Sequence, residues 1–145
     1  DLMHKKKIPD VIFCPKDYAE KNAFETVIAE KLAEAKIELV VLAGYMRLVG
    51  AVLLEKWEGR MINLHPSLLP AFPGKDAIGQ AWRAGVKKTG VTVHFVDAGM
   101  DTGRIYLQQK VTVDPDDTEE SLSEKIHLLE HKLLPDAILK IMQEM

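Results

Sequence analysis

The sequence predicts an α/β protein in which helices flank a mostly parallel central sheet. Short apolar runs alternate with helical patterns along the 145 residues, an order typical of β/α units. The run at residues 39–43 is continuously apolar, as expected of a strand that is covered on both faces. The composition is 47% hydrophobic and 28% charged, which suits a single globular domain spanning residues 1–145.

The first half of the chain supplies three strands and two helices. A strand is predicted at residues 11–14, before Pro15, and a helix at residues 20–36, where apolar side chains recur at helical spacing. The apolar strand at residues 39–43 follows, then a short helix at residues 52–57 and a strand at residues 60–64.

The second half begins with a proline-rich loop at residues 65–74, because three prolines there exclude regular helix or central strand. A helix is then predicted at residues 76–84, with Gly85 as its C-cap. Strands follow at residues 91–96 and 105–113. The segment 117–120 marks the start of a last helix, which we expect Pro135 to kink or divide.

Composition also excludes several classes of function. A formal net charge of −3 gives no electrostatic footprint for nucleic acid or an anionic membrane. Cys14 is the single cysteine, so an intrachain disulfide and a cysteine-based zinc site are both excluded. Without an apolar run of membrane-spanning length or a signal-peptide core, the sequence predicts a cytoplasmic protein.

Polar residues that suit acyl transfer follow two of the predicted strands. Asn63 and His65 are two residues apart, so their side chains lean to the same side of a strand end. A carboxamide donates hydrogen bonds without titrating, and an imidazole exchanges protons near neutral pH. Asp101, in a loop flanked by Gly99 and Gly103, could orient that imidazole. The alternative interpretation is structural: His65 and the proline-rich loop would only support the fold, and Asp101 would form an ordinary turn.

Longer motifs carry a family resemblance. They are LAGYMR at 42–47, NLHPSLLP at 63–70, FPG at 72–74, GVTVHFV at 90–96 and MDTG at 100–103. From about residue 8 to the last helix, the chain resembles the phosphoribosylglycinamide formyltransferases of the folate-dependent formyltransferase superfamily. The stretch PGKDAIGQA at 73–81 favours this family over methionyl-tRNA formyltransferases and formyltetrahydrofolate deformylases.

The resemblance implies a Rossmann-like formyltransferase fold and an activity. A formyl group would pass from 10-formyltetrahydrofolate, a co-substrate, to the amine of glycinamide ribonucleotide in de novo purine biosynthesis. Asn63, His65 and Asp101 match the family's catalytic residues, and no metal is implied. Hydrolysis of formyltetrahydrofolate, and a catalytically silent folate-binding or assembly fragment, are the alternative functions.

The resemblance also implies binding residues. The family's folate pocket maps onto Met46, Arg47, Leu48, Val49, Val96, Asp97, Ala98, Gly99 and Met100. Substrate contacts map onto Gly44, Pro66 and Glu130. His94, between Val93 and Phe95, is interpreted as a structural residue of the sheet, and core packing is as good an interpretation of Leu54 and Met61 as a place in the folate pocket.

One family segment has no match in the sequence. The N-terminal strand, Gly-rich turn and helix that hold the substrate phosphate in the family are not found. We therefore expect a partial domain whose uncovered strand edge invites a homodimer or a complementing N-terminal fragment.

Overall fold

The computed structural model describes residues 21–42, 48–99 and 101–145. The described residues fall into two compact units, the first ending at Ile37 and the second beginning at Glu38. Within the first unit, helix α1 (Lys21–Glu34) confirms the helix predicted at residues 20–36. Its C-terminus turns through Lys36 in the left-handed conformation, at φ 57°. The strand predicted at residues 11–14 lies outside the described residues, and a single domain over the whole chain stays a prediction.

The second unit is built on a four-stranded sheet with the order β1-β2-β3-β4. The strands are β1 (Val40–Leu42), β2 (Met61–His65), β3 (Lys88–Phe95) and β4 (Ile105–Thr112). The β1–β2 pair is parallel, and the β2–β3 and β3–β4 pairs are antiparallel. The predicted α/β class is confirmed, but the described sheet is mixed. A short connection of residues 96–104 joins β3 to β4, and such a connection returns the chain in the opposite direction.

Three helices accompany the sheet: α2 (Ala51–Trp57), α3 (Ala77–Ala84) and α4 (Glu119–Glu144). Gly85 caps the C-terminus of α3 in the left-handed conformation at φ 68°, as predicted. Helix α4 is 26 residues long and continues through Pro135, so the proline does not divide it. No helix in the described part of the chain is long and apolar enough to cross a membrane.

The sheet presents an apolar face to α4. Ile62 of β2 and Val91 and Val93 of β3 are fully buried in one cluster with Leu122 and Ile126 of α4. Burying an aliphatic side chain of this size contributes about 1.5–3 kcal/mol. This packing therefore fixes which way β2 and β3 face.

The other face of the same strands is polar. Asn63 pairs across the sheet with His94, His65 with Thr92, and Thr92 with Gln108. Because directly paired residues project to the same side, these five side chains form one polar face. Burial of the alternate apolar residues therefore turns the predicted catalytic side chains away from the core.

Candidate active site

A cavity of about 330 Å³ lies at the end of β2, and Asn63, His65 and His94 of the polar face line it. Its volume falls in the range usual for small-molecule sites, about 300–1,000 Å³. Nine of the site residues expected from the sequence line it: Leu48, Val49, Asn63, His65, Pro66, Val96, Gly99, Asp101 and Glu130. The three expected catalytic residues are thus brought to one cavity.

The remaining site residues fall elsewhere. Gly44, Met46, Arg47 and Met100 lie outside the described residues. Ala98 and Asp97 are exposed and absent from the cavity wall.

Asp97 holds the shape of its own loop. Its Oδ1 accepts hydrogen bonds from Thr102 Oγ1 (2.7 Å) and from the Gly99 amide (2.9 Å). These bonds, the Thr102 hydroxyl foremost, lower the pKa of the Asp97 carboxyl from its ordinary value. A carboxylate engaged in this way orders the loop that carries Gly99 and Asp101.

His65 is buried, and both of its ring nitrogens are engaged. Nε2 lies 2.8 Å from the Phe72 carbonyl oxygen, and Nδ1 lies 3.4 Å from Oδ2 of Asp101. A carbonyl oxygen only accepts, so Nε2 carries the hydrogen and donates it to Phe72. If Nδ1 also carries a proton, the ring is an imidazolium that pairs with the Asp101 carboxylate. Without that proton, Nδ1 and the carboxylate oxygen are two acceptors that face each other. The geometry therefore accommodates a charged His65 beside Asp101.

Asp101 is held by backbone as well as by charge. It adopts a left-handed conformation at φ 57°, and its Oδ2 accepts a 2.7 Å hydrogen bond from the amide of Gly74. Gly74 itself has φ 82°, a conformation that glycine adopts without strain. The Asp101 loop is in this way tied to the proline-rich loop, and both present their residues to the same cavity.

His94 reaches the site as well. It belongs to β3, as predicted, but it is 2% exposed and lines the cavity. Its Nδ1 lies 2.9 Å from the Phe95 carbonyl oxygen, and Nε2 lies 3.5 Å from Oδ1 of Asp101, with no hydrogen-bond partner among the described residues. Asp101 is therefore flanked by two imidazoles. Interpretation of the sequence missed this contact, since only the register that pairs His94 with Asn63 reveals it.

Asn63 keeps its amide donors available. Its Oδ1 accepts a 2.9 Å hydrogen bond from the amide of Leu64, which identifies the oxygen, and its NH₂ group makes no hydrogen bond to a described residue. A donor of this kind, fixed at one end and open at the other, suits stabilisation of an oxyanion.

Part of the cavity wall consists of residues that were not predicted to belong to the site. Lys75, Asp76, Ala77 and Ile78 line it, from the end of the proline-rich loop and the start of α3. Asp76 is paired with Arg83 at 3.1 Å on the exposed side of that helix. Leu54 and Met61 do not line the cavity, and Met61 is fully buried in the core. Across the described ranges, we find no group of three His, Cys, Asp or Glu side chains that could hold a metal ion.

A carboxamide, an imidazole and a carboxylate around one cavity of an α/β protein suit an acyl-transferring enzyme, which must stabilise an oxyanion and move a proton. Residues 1–138 match the model of the family described as formyl transferase. The chain belongs to the formyl transferase family.

Its relatives include phosphoribosylglycinamide formyltransferases, as the motifs suggested. The curated enzyme of that name from Bacillus subtilis is 54% identical over 135 residues, which are 93% of this chain and 69% of that protein. A crystal structure of the Bacillus halodurans enzyme of that name superimposes with a TM-score of 0.93 at 52% identity, covering 96% of this chain and 72% of that one. The trifunctional purine biosynthetic protein adenosine-3 of Bos taurus is 46% identical over 95% of this chain, which corresponds to 14% of its own length.

Proposed function

We propose that this chain transfers a formyl group from 10-formyltetrahydrofolate to the amine of glycinamide ribonucleotide. Membership of the formyl transferase family and the names of its relatives support this proposal. The observation that carries it is the shared cavity, into whose wall Asn63, His65 and Asp101 are brought from a strand and a separate loop.

The reaction needs no covalent enzyme intermediate. The substrate amine attacks the formyl carbon, a carbon–nitrogen bond forms, and the carbonyl electron pair moves to oxygen. Collapse of this tetrahedral intermediate breaks the bond to N10 of the folate, and a proton passes from the attacking nitrogen to N10. The enzyme must therefore stabilise an oxyanion and assist one proton transfer.

Asn63 and His65 both stabilise the oxyanion in our proposal. The NH₂ group of Asn63 donates to the oxyanion, since it has no prior partner among the described residues. His65 directs its nitrogens at Phe72 and Asp101, so it acts first through the positive charge of its imidazolium. It donates to the oxyanion only if one of these two contacts opens.

Asp101 lies between two imidazole rings. With His65 on one side and His94 on the other, its carboxylate can hold a proton-carrying water or stabilise charge on either ring. Because the Gly74 amide fixes Oδ2, the carboxylate stays in place during proton movement.

Our proposal for the binding of the two substrates is supported by the cavity wall and by the resemblance together. We infer that Leu48, Val49 and Val96, with the backbone at Gly99, form the slot for the pterin. Glu130 and Pro66, on other parts of the same wall, would contact the ribonucleotide. Arg47, which the resemblance maps onto the folate pocket, lies outside the described residues, so its role stays a prediction.

The expected partners are not tested by the fold. Strand β1 pairs with β2 and with no second strand in the described ranges. A homodimer or a complementing N-terminal fragment, which would cover that edge, stays a prediction, as does a cytoplasmic location.

The test is an assay of tetrahydrofolate formation from 10-formyltetrahydrofolate, with and without glycinamide ribonucleotide. We expect turnover that depends on the amine, and we expect His65→Ala to lower kcat by about 10²–10⁴-fold. His131→Ala removes an exposed histidine of α4 and serves as the matched control. Amine-independent turnover would favour hydrolysis, and folate binding without turnover would favour the silent fragment.

A further inference from the structure

The proline-rich loop is bonded to the polar face through its backbone. The Ser67 carbonyl oxygen accepts a 2.6 Å hydrogen bond from Thr92 Oγ1, and the Leu69 amide donates to the same hydroxyl at 3.1 Å. The Leu69 carbonyl oxygen accepts a 2.8 Å hydrogen bond from Nε2 of Gln108. A loop that covers a sheet must find partners for such groups, and here two side chains supply them.

The hydrogen bonds of Gln108 and Thr92 use both donors of the Gln108 amide nitrogen and all sites of the Thr92 hydroxyl. The amide nitrogen of Gln108 donates both to Leu69 O and, at 3.0 Å, to Thr92 Oγ1. The Thr92 hydroxyl then gives its one hydrogen to Ser67 O and accepts from Leu69 N and Gln108 Nε2. A hydroxyl has one donor and two acceptor sites, and a primary amide nitrogen has two donors, so every site is used.

The far end of the same loop fixes His65. Ser67 Oγ donates to the Ala71 carbonyl oxygen at 2.6 Å, which closes the loop on itself. The next carbonyl, that of Phe72, accepts from Nε2 of His65 at 2.8 Å. The orientation of the imidazole therefore depends on where the loop places Phe72.

We propose that Gln108 is a positioning residue for formyl transfer, which acts through Thr92 and the proline-rich loop on the ring of His65. Its place on β4 supports this, because Gln108, Thr92 and His65 form one row across three paired strands. Gln108 does not line the cavity, and its side-chain hydrogen bonds go to Leu69 and Thr92 and not to the catalytic side chains. The kinetic part of the proposal rests on the proposed function.

The first variant is Gln108→Glu, which keeps the size of the side chain but puts an acceptor oxygen against Leu69 O and Thr92 Oγ1. We expect kcat for formyl transfer to fall by about 10- to 100-fold, the scale of a small misplacement of a catalytic group. KM for both substrates should stay within about twofold to threefold, since no cavity residue changes. Gln109→Glu makes the same charge change on the opposite face of β4, where Gln109 is exposed as Gln108 is, and it should match wild type.

A second measurement does not depend on catalysis. Nitrogen-15 NMR of the imidazole ring reports the Nε2–H of His65, and we expect its hydrogen to exchange with water faster in Gln108→Glu than in Gln109→Glu. If wild type shows no formyl transfer, the proposed function fails, while this exchange still tests the positioning of His65. Unchanged exchange together with unchanged kcat would overturn the role of Gln108.

Impaired folding of Gln108→Glu would also lower kcat, so a second variant separates folding from positioning. Gln108→Met has a similar volume and no hydrogen bonds, so it should fold and reproduce both the kinetic loss and the faster exchange. If Gln108→Glu and Gln108→Met both fail to fold while Gln109→Glu folds, Gln108 is a determinant of global stability and the positioning role is overturned.

Discussion

At the scale of single residues, Asn63 combines two jobs in one amide. Its oxygen serves the fold by accepting from the Leu64 amide, and its nitrogen is left for the cavity. These two ends can be separated by substitution, because a carboxylate replaces the donor end and preserves an acceptor. Few positions in the site offer a test of this kind.

We predict that Asn63→Asp lowers kcat for formyl transfer by about 10²–10³-fold, the usual loss when one oxyanion donor is removed. The acceptor for Leu64 N is retained, so the melting temperature should stay close to that of wild type. Steady-state kinetics and thermal unfolding check both parts.

Asn63→Ala provides the contrast to Asn63→Asp. It removes the acceptor as well and leaves the Leu64 amide without its partner, so it should lose both activity and stability. Full activity in Asn63→Asp would show that the amide nitrogen is not an oxyanion donor.

The residues of the site differ in how far the sequence could reveal them. Asn63 and His65 are visible from their spacing at a strand end. Asp101 is 36 positions from His65, and its residue type alone left an ordinary turn as an alternative until the motif resemblance matched it to a catalytic residue. His94 was assigned to the sheet alone, because its contact with Asp101 depends on strand register and on the path of a loop. Such long-range geometry has no local pattern.

At the scale of elements, local signals located the helix ends well. The start of α4 shows a capping box, in which Thr118 Oγ1 accepts from the Ser121 amide at 3.1 Å and Ser121 Oγ accepts from the Thr118 amide at 2.8 Å. The segment 117–120 predicted this start from side chains that favour the first turn.

We predict that Thr118→Ala lowers the free energy of unfolding by about 1 kcal/mol, since it removes the acceptor for Ser121 N. Urea denaturation followed by circular dichroism measures the change. Ser123→Ala, inside the same helix, is the control and should change stability by less than about 0.5 kcal/mol. An equal loss in both variants would argue against the cap as the cause.

Strand limits and directions were less accessible to the sequence. Strand β3 begins at Lys88 and not at Val91, because Lys88, Thr89 and Gly90 pair with Thr112, Val111 and Lys110 of β4. The antiparallel direction of β3 likewise comes from non-local pairing, so an apolar run alone could not supply it.

At the scale of the whole molecule, acidic residues near the start of α4 link stability to pH. Lys125 Nζ is hydrogen-bonded to Asp117 and lies 2.8 Å from Asp114, which precedes the helix. Hydrogen bonds from Lys125 first, and from Ser121 second, lower the pKa of Asp117 from 3.8 to about 2. A carboxyl with a lowered pKa stabilises the fold above its ordinary pKa and loses that contribution as the pH falls toward the lowered value.

We therefore predict that Asp117→Asn is less stable than wild type at neutral pH and that this difference shrinks between about pH 4 and pH 2. Urea midpoints measured at a series of pH values check this. Asp116→Asn removes the same charge from an exposed neighbour and should leave the pH dependence of wild type in place. A stability difference for Asp117→Asn that is constant with pH would contradict the assignment.

The alternation of side chains along β2 and β3 couples correct folding to competence of the site. If β3 slipped by one position, Val91 and Val93 would project into the cavity, while Thr92 and His94 would be driven against Leu122 and Ile126. Such a conformer would lose its apolar burial and its catalytic groups together. Selection for a stable fold and selection for an active site therefore both act on the register of β3, so a change in one property changes the other.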